Sequence, residues 1–269
     1  LNVNEVDILV ESEGEPVNLA DASGSDADRA IAEYARGFIP DGATLQTGIG
    51  AIPSLIAGLL AEGPGGGYGV HSEMVTNGLM RLYQAGQVTN SNKGEFDGFS
   101  VTTFAAGTPE LYQFLHENDE VRFLPVEIVN DARLIAENRH FVSINGATAV
   151  DLYGQVAADT INGQQHSGTG GHEDFLAGAG LRLEDRSLLC LRSSSVASEG
   201  RISRIKPNLA PEMVVTTPRH QIDVVITEYG VAELSGLSVP ERAEALTAIA
   251  HPDFRDELSE ASERIGRPL

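Results

Sequence analysis

The chain has 269 residues, of which 41% are hydrophobic and 21% charged, and its net charge at pH 7 is −21. This apolar fraction is enough for a sizeable core, which excludes a wholly disordered chain, and the length fits one large domain or two small ones. The acidic charge excludes a general electrostatic attraction to nucleic acid or to anionic membranes, because both need clustered lysine and arginine.

A single cysteine, Cys190, lies in the apolar run 188–191. One cysteine cannot form an internal disulfide, so we predict a buried core thiol and no disulfide framework. No apolar stretch reaches the length of about 18 residues that a membrane span needs. The N-terminus has no signal-peptide pattern, so we expect a cytoplasmic protein. Because the chain begins with Leu1 instead of methionine, we expect it to be part of a longer protein.

Apolar runs alternate with segments of helical periodicity along the chain. Ser25 is a favourable helix N-cap, and Ile31, Ala35 and Phe38 follow it at helical spacing. The alternation predicts an α/β protein with a largely parallel sheet, and close strand spacing over 141–161 predicts an antiparallel or hairpin insert. Predicted strands are 43–48, 68–72, 100–106, 141–150, 155–161, 187–193 and 222–227, and predicted helices are 25–38, 53–62, 75–85, 109–117 and 240–263.

Glycines cluster at the ends of three predicted strands, over 48–50, 65–69 and 168–171. Ligands of open α/β sheets bind beyond the carboxyl ends of the strands, and glycine lets the backbone approach them closely. Any one cluster also fits a simple tight turn, but three clusters together favour a binding site.

The first cluster belongs to TGIGAIPSLIAGL, a strand, a turn and a helix with Pro53 in its first turn. Free N–H groups at such a helix start suit an anion or phosphate. The segment is not a Rossmann fingerprint, since Pro53 occupies the third glycine position, and it is not a P-loop, since no Gly-Lys-Ser/Thr follows.

In GVHSEMVTNG, an apolar strand delivers His71, Ser72 and Glu73 at its carboxyl end. Glu73 is either a helix cap or a covalent nucleophile, and a carboxylate is a poor nucleophile that needs positioning and an oxyanion site. Backbone N–H groups of the GTGG loop at 168–171 can supply such a site. His71 would orient Glu73, carry a proton, or only pack locally.

The ordered motifs TGIGAIP, GVHSEM, SINGATAVDLYGQV, GTGGHEDF, VVTTPR, DVVITEYGVAEL and AHPDFRDEL resemble the acetyl-CoA hydrolase/transferase family of CoA-transferases. The resemblance runs from about residue 25 to the C-terminus. It implies a three-layer α/β/α domain of the CoA-transferase type (NagB/RpiA-like), with 25–269 as the C-terminal catalytic domain. Residues 1–24 would then be a lead-in from a preceding domain, with the active site between the two domains.

The resemblance also implies the chemistry. Glu73 would attack the acyl-CoA thioester, giving an acyl-glutamyl anhydride and then a glutamyl-CoA thioester that a second carboxylate opens. The backbone N–H of Gly171 and the side chain of Asn130, in IVNDAR, would contact the oxyanion. CoA would be a substrate, with no permanently bound cofactor. The residues expected to bind it are Gly48, Ile49, Gly50, Met74 and Gly170.

Two segments depart from the family pattern. ELSGLSVPER lacks the basic residue that relatives more often carry near Ser235 and Leu237, which weakens the case for CoA-phosphate contacts there. His172 and Glu173 differ from the commoner residues after the double glycine, and we expect them to tune acyl preference.

Other functions stay open at this point. The same glutamate would serve an acetyl-CoA hydrolase, and a non-catalytic lobe would bind CoA without a covalent adduct. A sugar-phosphate isomerase would need basic residues, for which Lys93 and Arg81 are the nearby candidates. No G-x-S-x-G elbow occurs. Glu228 would lie near the site or make a structural hydrogen bond. We expect acyl-CoA, small carboxylates, the preceding domain and a second copy of the chain as partners.

Metal binding is not expected. His166, His172, Glu173 and Asp174 are close in sequence, but their spacing matches no zinc motif.

Overall fold

The computed structural model describes residues 4, 6–14, 16–161, 163–198 and 200–265. None of the helices in these residues has the length and apolar character that a membrane-spanning helix requires.

Most helices lie where helical periodicity predicts them. The helices of the described residues are α1 (Asp26–Arg36), α2 (Ala51–Glu62), α3 (Asn77–Gln84), α4 (Pro109–Leu115), α5 (Val126–Val129), α6 (Ala132–Ala136), α7 (His172–Ala179), α8 (Val239–Ala248) and α9 (Arg255–Ile265), with a 3₁₀ turn at Pro252–Phe254. Ser25 caps α1 as expected, because its side chain accepts from the Asp28 N–H while the Asp28 carboxylate accepts from the Ser25 N–H.

The strands are short, and many consist of only two to four residues. They are β1 (Thr44–Thr47), β2 (Gly69–Val70), β3 (Met74–Val75), β4 (Ser100–Thr102), β5 (Phe104–Ala105), β6 (Val121–Phe123), β7 (Phe141–Gly146), β8 (Ala149–Asp151), β9 (Val156–Ala157), β10 (Thr160–Ile161), β11 (Gln164–Gln165), β12 (Arg186–Cys190), β13 (Ser194–Ala197), β14 (Gly200–Ser203), β15 (Ile205–Lys206), β16 (Val224–Thr227) and β17 (Gly230–Glu233).

The central sheet is mostly parallel, as predicted. In the described part of the chain it has the strand order β17-β16-β12-β7-β1-β2. Every neighbouring pair is parallel except β16 with β17, which is an antiparallel hairpin. A bridge between His71 and Val101 leads from β2 to β4, which pairs in parallel with β6. The carboxyl ends of β1, β2 and β7 therefore lie along one edge.

Alternating side chains of β12 and β16 face opposite cores. Leu188 and Val224 pack into the core that also contains side chains of α1 and α2. Leu189 and Val225 pack into the other core, with side chains of α7, α8 and α9. Because a strand buried on both faces needs helices on both sides, the domain has the three layers expected of an α/β/α fold.

The predicted helix 240–263 is wrong as one element. The chain leaves the helix after Ala248, and His251 is extended, with φ −58° and ψ 135°, before Pro252 starts the 3₁₀ turn. The clash of a proline ring with the preceding residue disfavours the helical region there. Two helices pack against each other where one was predicted.

The predicted strand 141–150 is also two elements. β7 belongs to the central sheet, whereas β8 turns away and pairs antiparallel with β9 and parallel with β15. Together with the hairpin β10–β11, this is the small insert that the strand spacing predicted. The helices α5, α6 and α7 were not predicted, although they carry part of the site.

Close packing between α6 and α7 generates a stability prediction. Gly178 of α7 lies so near Ile135 of α6 that an added Cβ would be 2.7 Å from the Ile135 Cβ. We expect Gly178→Ala to lower the free energy of unfolding by about 1–3 kcal/mol, because overpacking forces the helices apart. Gly58→Ala in α2 is the matched control, since nothing lies within 4 Å of its added Cβ. That variant should gain roughly 0.5–1 kcal/mol, and equal denaturation midpoints for the two variants would contradict the packing argument.

Candidate active site

The backbone around Glu73 is held at the carboxyl edge of the sheet. The Glu73 carbonyl oxygen accepts from the backbone N–H groups of Thr103 (2.9 Å) and Phe104 (3.1 Å). The Thr102 hydroxyl donates to the same oxygen at 3.0 Å. Three donors on one carbonyl fix the chain direction at Glu73, so its side chain leaves a rigid platform instead of a mobile loop.

The Glu73 carboxylate is not a helix cap. Helix α3 begins at Asn77 after the N-cap residue Thr76. Instead, Oε2 of Glu73 accepts a 3.0 Å hydrogen bond from the backbone N–H of Gly171, 98 residues later. An added Cβ at Gly171 would be 2.8 Å from this Oε2 and would overlap Nδ2 of Asn130. A side chain at residue 171 would therefore require the ends of Glu73 and Asn130 to move from these positions.

Asn130 completes a three-residue cluster with Glu73 and Gly171. It ends α5, and its Nδ2 donates to Oδ2 of Asp174 at 3.0 Å. Because a Cβ added to Gly171 would overlap Nδ2 of Asn130, this nitrogen lies directly beside the GTGG loop. Gly170 has φ +55°, and its added Cβ would be 3.9 Å from Oε2 of Glu73. The arrangement presents two N–H donors, one backbone and one side chain, next to a carboxylate.

A cleft of about 140 Å³ lies at the same edge, beyond the end of β1. Its walls include 48–50 and 19–22, together with Thr76 and Asn77 that follow β3. Gly50 precedes α2 with φ +125°, a conformation that favours glycine. Ile49 is 58% exposed, so a ligand in the cleft could contact it. Met74 and Gly170 do not line this cleft.

One wall of the cleft is the segment that precedes α1. The Leu19 N–H donates to the Gly107 carbonyl at 2.8 Å. The Asp21 carboxylate accepts from Nδ2 of Asn77 at 3.0 Å and forms a 2.6 Å ion pair with Arg81. No sequence signal points to Asp21, because its partners Asn77 and Arg81 are more than 50 residues away.

Both ring nitrogens of His71 are hydrogen-bonded, so this histidine is not placed to carry a proton. It is fully buried, and Nε2 donates to the Val129 carbonyl (2.7 Å) while Nδ1 accepts from Asn138 (3.0 Å). A carbonyl can only accept, so these contacts fix the neutral tautomer. Burial lowers the pKa of His71 to about 4. Of the predicted roles, local packing is the one that the structure supports.

The remaining candidates are engaged elsewhere. Lys93 is 1% exposed, and its Nζ donates to the carbonyls of Val70 and Phe99. With Arg81 paired to Asp21, neither base faces an open phosphate site, which removes the support for an isomerase. Glu228 accepts from the N–H and hydroxyl of Ser193, a structural role. Cys190 is buried, and burial raises its pKa to about 12.

The described residues contain no group of three or more His, Cys, Asp or Glu side chains that could hold a metal ion. Of the residues His172, Glu173 and Asp174 at the start of α7, His172 contacts the Thr217 hydroxyl at 2.9 Å. Burial lowers its pKa to about 4.

The buried imidazole of His71 predicts a loss of stability in acid. Its pKa is about 4 in the folded chain against 6.5 for the free side chain. Its contribution is fully present above pH 6.5 and is lost as the pH falls towards 4, by up to about 3 kcal/mol. Unfolding free energies measured by chemical denaturation at several pH values should show this fall. His71→Gln should have a shallower slope over that window, and identical slopes would contradict the assignment.

Known proteins share this fold and much of this sequence. Residues 107–262 match the family model of the acetyl-CoA hydrolase/transferase C-terminal domain. The 4-hydroxybutyrate coenzyme A transferase of Clostridium kluyveri is 41% identical over 96% of this chain, which covers 59% of that protein. The butyryl-CoA:acetate CoA-transferase of Anaerostipes caccae is 39% identical over 98% of this chain, which covers 60% of that protein.

The crystal structure of RipA from Yersinia pestis superimposes with a TM-score of 0.89 at 38% identity, covering 97% of this chain and 58% of that one. The chain thus spans about 60% of the length of the curated relatives described above. With the family model matching more than half of its residues, the chain belongs to the acetyl-CoA hydrolase/transferase family.

Proposed function

We propose that this chain carries the catalytic glutamate of a CoA-transferase, which moves CoA between an acyl-CoA and a small carboxylate. The acyl-CoA that we propose as substrate is acetyl-CoA. The observation that carries the proposal is the hydrogen bond from the Gly171 N–H to Glu73 Oε2, with Asn130 beside it. Two relatives named as CoA-transferases, each about 40% identical over nearly the whole chain, support the substrate class.

The proposed reaction balances as two exchanges. An oxygen of Glu73 attacks the thioester carbonyl, which forms the acyl-glutamyl anhydride and releases CoA thiolate. The thiolate attacks the glutamyl carbonyl, which gives the glutamyl-CoA thioester and releases the first carboxylate. A second carboxylate then opens this thioester by the reverse steps and leaves as the new acyl-CoA.

Gly171 and Asn130 would act while the thiolate adds to the glutamyl carbonyl. At that moment negative charge develops on the glutamyl oxygen, and the Gly171 N–H already lies 3.0 Å from Oε2. A fixed donor aimed at developing charge stabilises the transition state, and losing one costs about 2.7–4 kcal/mol. The same contact in the resting state holds the carboxylate in place for its first attack.

CoA binding would involve the loop 48–50 and the cleft beside it. We assign Met74 and Gly170 to contacts near the thioester, since they neighbour Glu73 and Gly171 and do not line the cleft. Binding energy from remote parts of CoA would offset the cost of forming an anhydride. CoA is thus a substrate in this proposal and not a resident cofactor.

The proposal includes further protein. The curated relatives extend beyond the matched region, and this chain covers 59% and 60% of two of them. We therefore propose that a preceding domain, on the same or a separate chain, closes the site over Glu73. We also retain the pairing of two copies as a hypothesis, which sedimentation of the full-length protein would test.

Hydrolysis is the second candidate function, and the family description supports it by naming both activities. Water would then open the anhydride or the glutamyl thioester with the same nucleophile. Added carboxylate separates the two functions, because transfer turns it into acyl-CoA and hydrolysis does not. A non-catalytic lobe would bind CoA without any covalent adduct.

Intact-mass spectrometry after incubation with acetyl-CoA tests the proposal. We expect a CoA adduct on the peptide that contains Glu73, and no adduct in Glu73→Gln, where the amide is not a nucleophile. Both the full-length protein and residues 1–269 should be measured, because an adduct only at full length would show that another domain is needed. Turnover by full-length protein without an adduct, or with Glu73→Gln, would contradict the proposal.

The GTGG loop offers a second prediction with an internal control. We expect Gly171→Ala to lower the rate of adduct formation by about 10²–10³-fold, because the added Cβ would meet Glu73 and Asn130. Gly168→Ala in the same loop has nothing within 4 Å of its added Cβ and should stay close to wild type. Quenched-flow mass spectrometry of the two variants measures both rates. Equal rates of adduct formation in the two variants would contradict a role of the loop in the reaction.

A further inference from the structure

We propose that Asp174 is a positioning residue, which sets the orientation of the Asn130 side-chain amide so that its nitrogen faces the reacting carboxylate. The inference deepens the proposed function and rests on it for its catalytic consequence. Asp174 lies in the first turn of α7, three residues after Gly171, and its Oδ2 accepts from Nδ2 of Asn130 at 3.0 Å.

A carboxylate attracts the nitrogen end of a side-chain amide and not the oxygen end. It offers only acceptor oxygens, so it attracts the Asn130 nitrogen and repels the amide oxygen. Nδ2 carries two hydrogens, and the bond to Asp174 uses one of them. The other remains for the space beside Gly171 and Oε2 of Glu73, which this nitrogen adjoins.

No other contact of the described residues holds the amide in this orientation. Oδ1 of Asn130 is buried and has no hydrogen-bond partner among them. Burying an unpaired carbonyl oxygen costs free energy. The oxygen therefore does not favour this orientation, and the bond from the amide nitrogen to Asp174 must set it. A flip would turn Oδ1 towards two carboxylates, Asp174 and Glu73, and would remove the side-chain donor from the oxyanion position.

The helices keep the two partners together. Asn130 lies between α5 and α6, and α6 packs tightly on α7 where Gly178 meets Ile135. Asp174 is half-buried in the first turn of α7. Since Asp174 does not line the cleft beside 48–50, its removal should change the chemical step and leave CoA affinity unchanged.

Single-turnover formation of the glutamyl-CoA adduct in the full-length protein tests this role. Asp174→Asn keeps the side-chain shape but can present either an amide oxygen or an amide nitrogen to Asn130. We expect it to slow adduct formation by about 10–100-fold, with an unchanged KM for acetyl-CoA in the steady state. In an Asn130→Ala background the same substitution should cost less than about twofold, because the residue that it positions is gone. Asp256→Asn, which removes a first-turn carboxylate from α9, is the control and should keep the wild-type rate.

The orientation has a readout that does not depend on turnover. In ¹⁵N-labelled protein, we expect one side-chain amide proton of Asn130 to be shifted downfield and to exchange slowly, as expected for a bond to a carboxylate, and Asp174→Asn should abolish both features. A wild-type rate for Asp174→Asn, or a full loss that persists without Asn130, would overturn the positioning role. A failed adduct with the Asn130 signal intact would instead overturn the proposed function and leave the orientation standing.

Discussion

The site depends on one hydrogen bond, from the Gly171 N–H to the Glu73 carboxylate. It joins the end of one strand region to the start of α7, two segments that the chain brings together from 98 residues apart. A Cβ on residue 171 would force the Glu73 carboxylate to shift, and the bond holds this carboxylate on a backbone that three donors already fix. In the proposed mechanism, the nucleophile and one oxyanion donor would therefore be organised before any substrate arrives.

The layers around this contact account for its precision. The parallel sheet places the carboxyl ends of β1, β2 and β7 along one edge, where ligands of open α/β sheets bind. Beneath that edge, two buried side chains are paired: His71 with Val129 and Asn138, and Lys93 with the carbonyls of Val70 and Phe99. Such pairing makes these groups part of the scaffold, since an unpaired buried polar group would be costly.

Local signals predicted much of the fold, including the Ser25 cap, the alternation of strands and helices, and the strand-end placement of Glu73. They failed where distant packing decides. Helices α5 and α6 have four and five residues, too few for periodicity to show. Helix α7 has eight residues, as many as the predicted α3, and length does not explain why it was not predicted. The hydrogen-bond partners of Asn130 and Asp21 lie 44 and more than 50 residues away along the chain. No short sequence window therefore contains both residues of either pair. The break at Pro252 was visible in the sequence and was missed, because the charged pattern continues on both sides.

An oxygen-transfer measurement tests the central claim most directly. If Glu73 forms anhydrides with both carboxylates, each turnover moves one oxygen from the acceptor carboxylate to the Glu73 side chain. Full-length protein turned over with acetyl-CoA and an ¹⁸O-labelled small carboxylate should therefore gain ¹⁸O in the peptide that contains Glu73 and in no other. Conversion of the labelled carboxylate to acyl-CoA without ¹⁸O on that peptide would contradict Glu73 as the nucleophile.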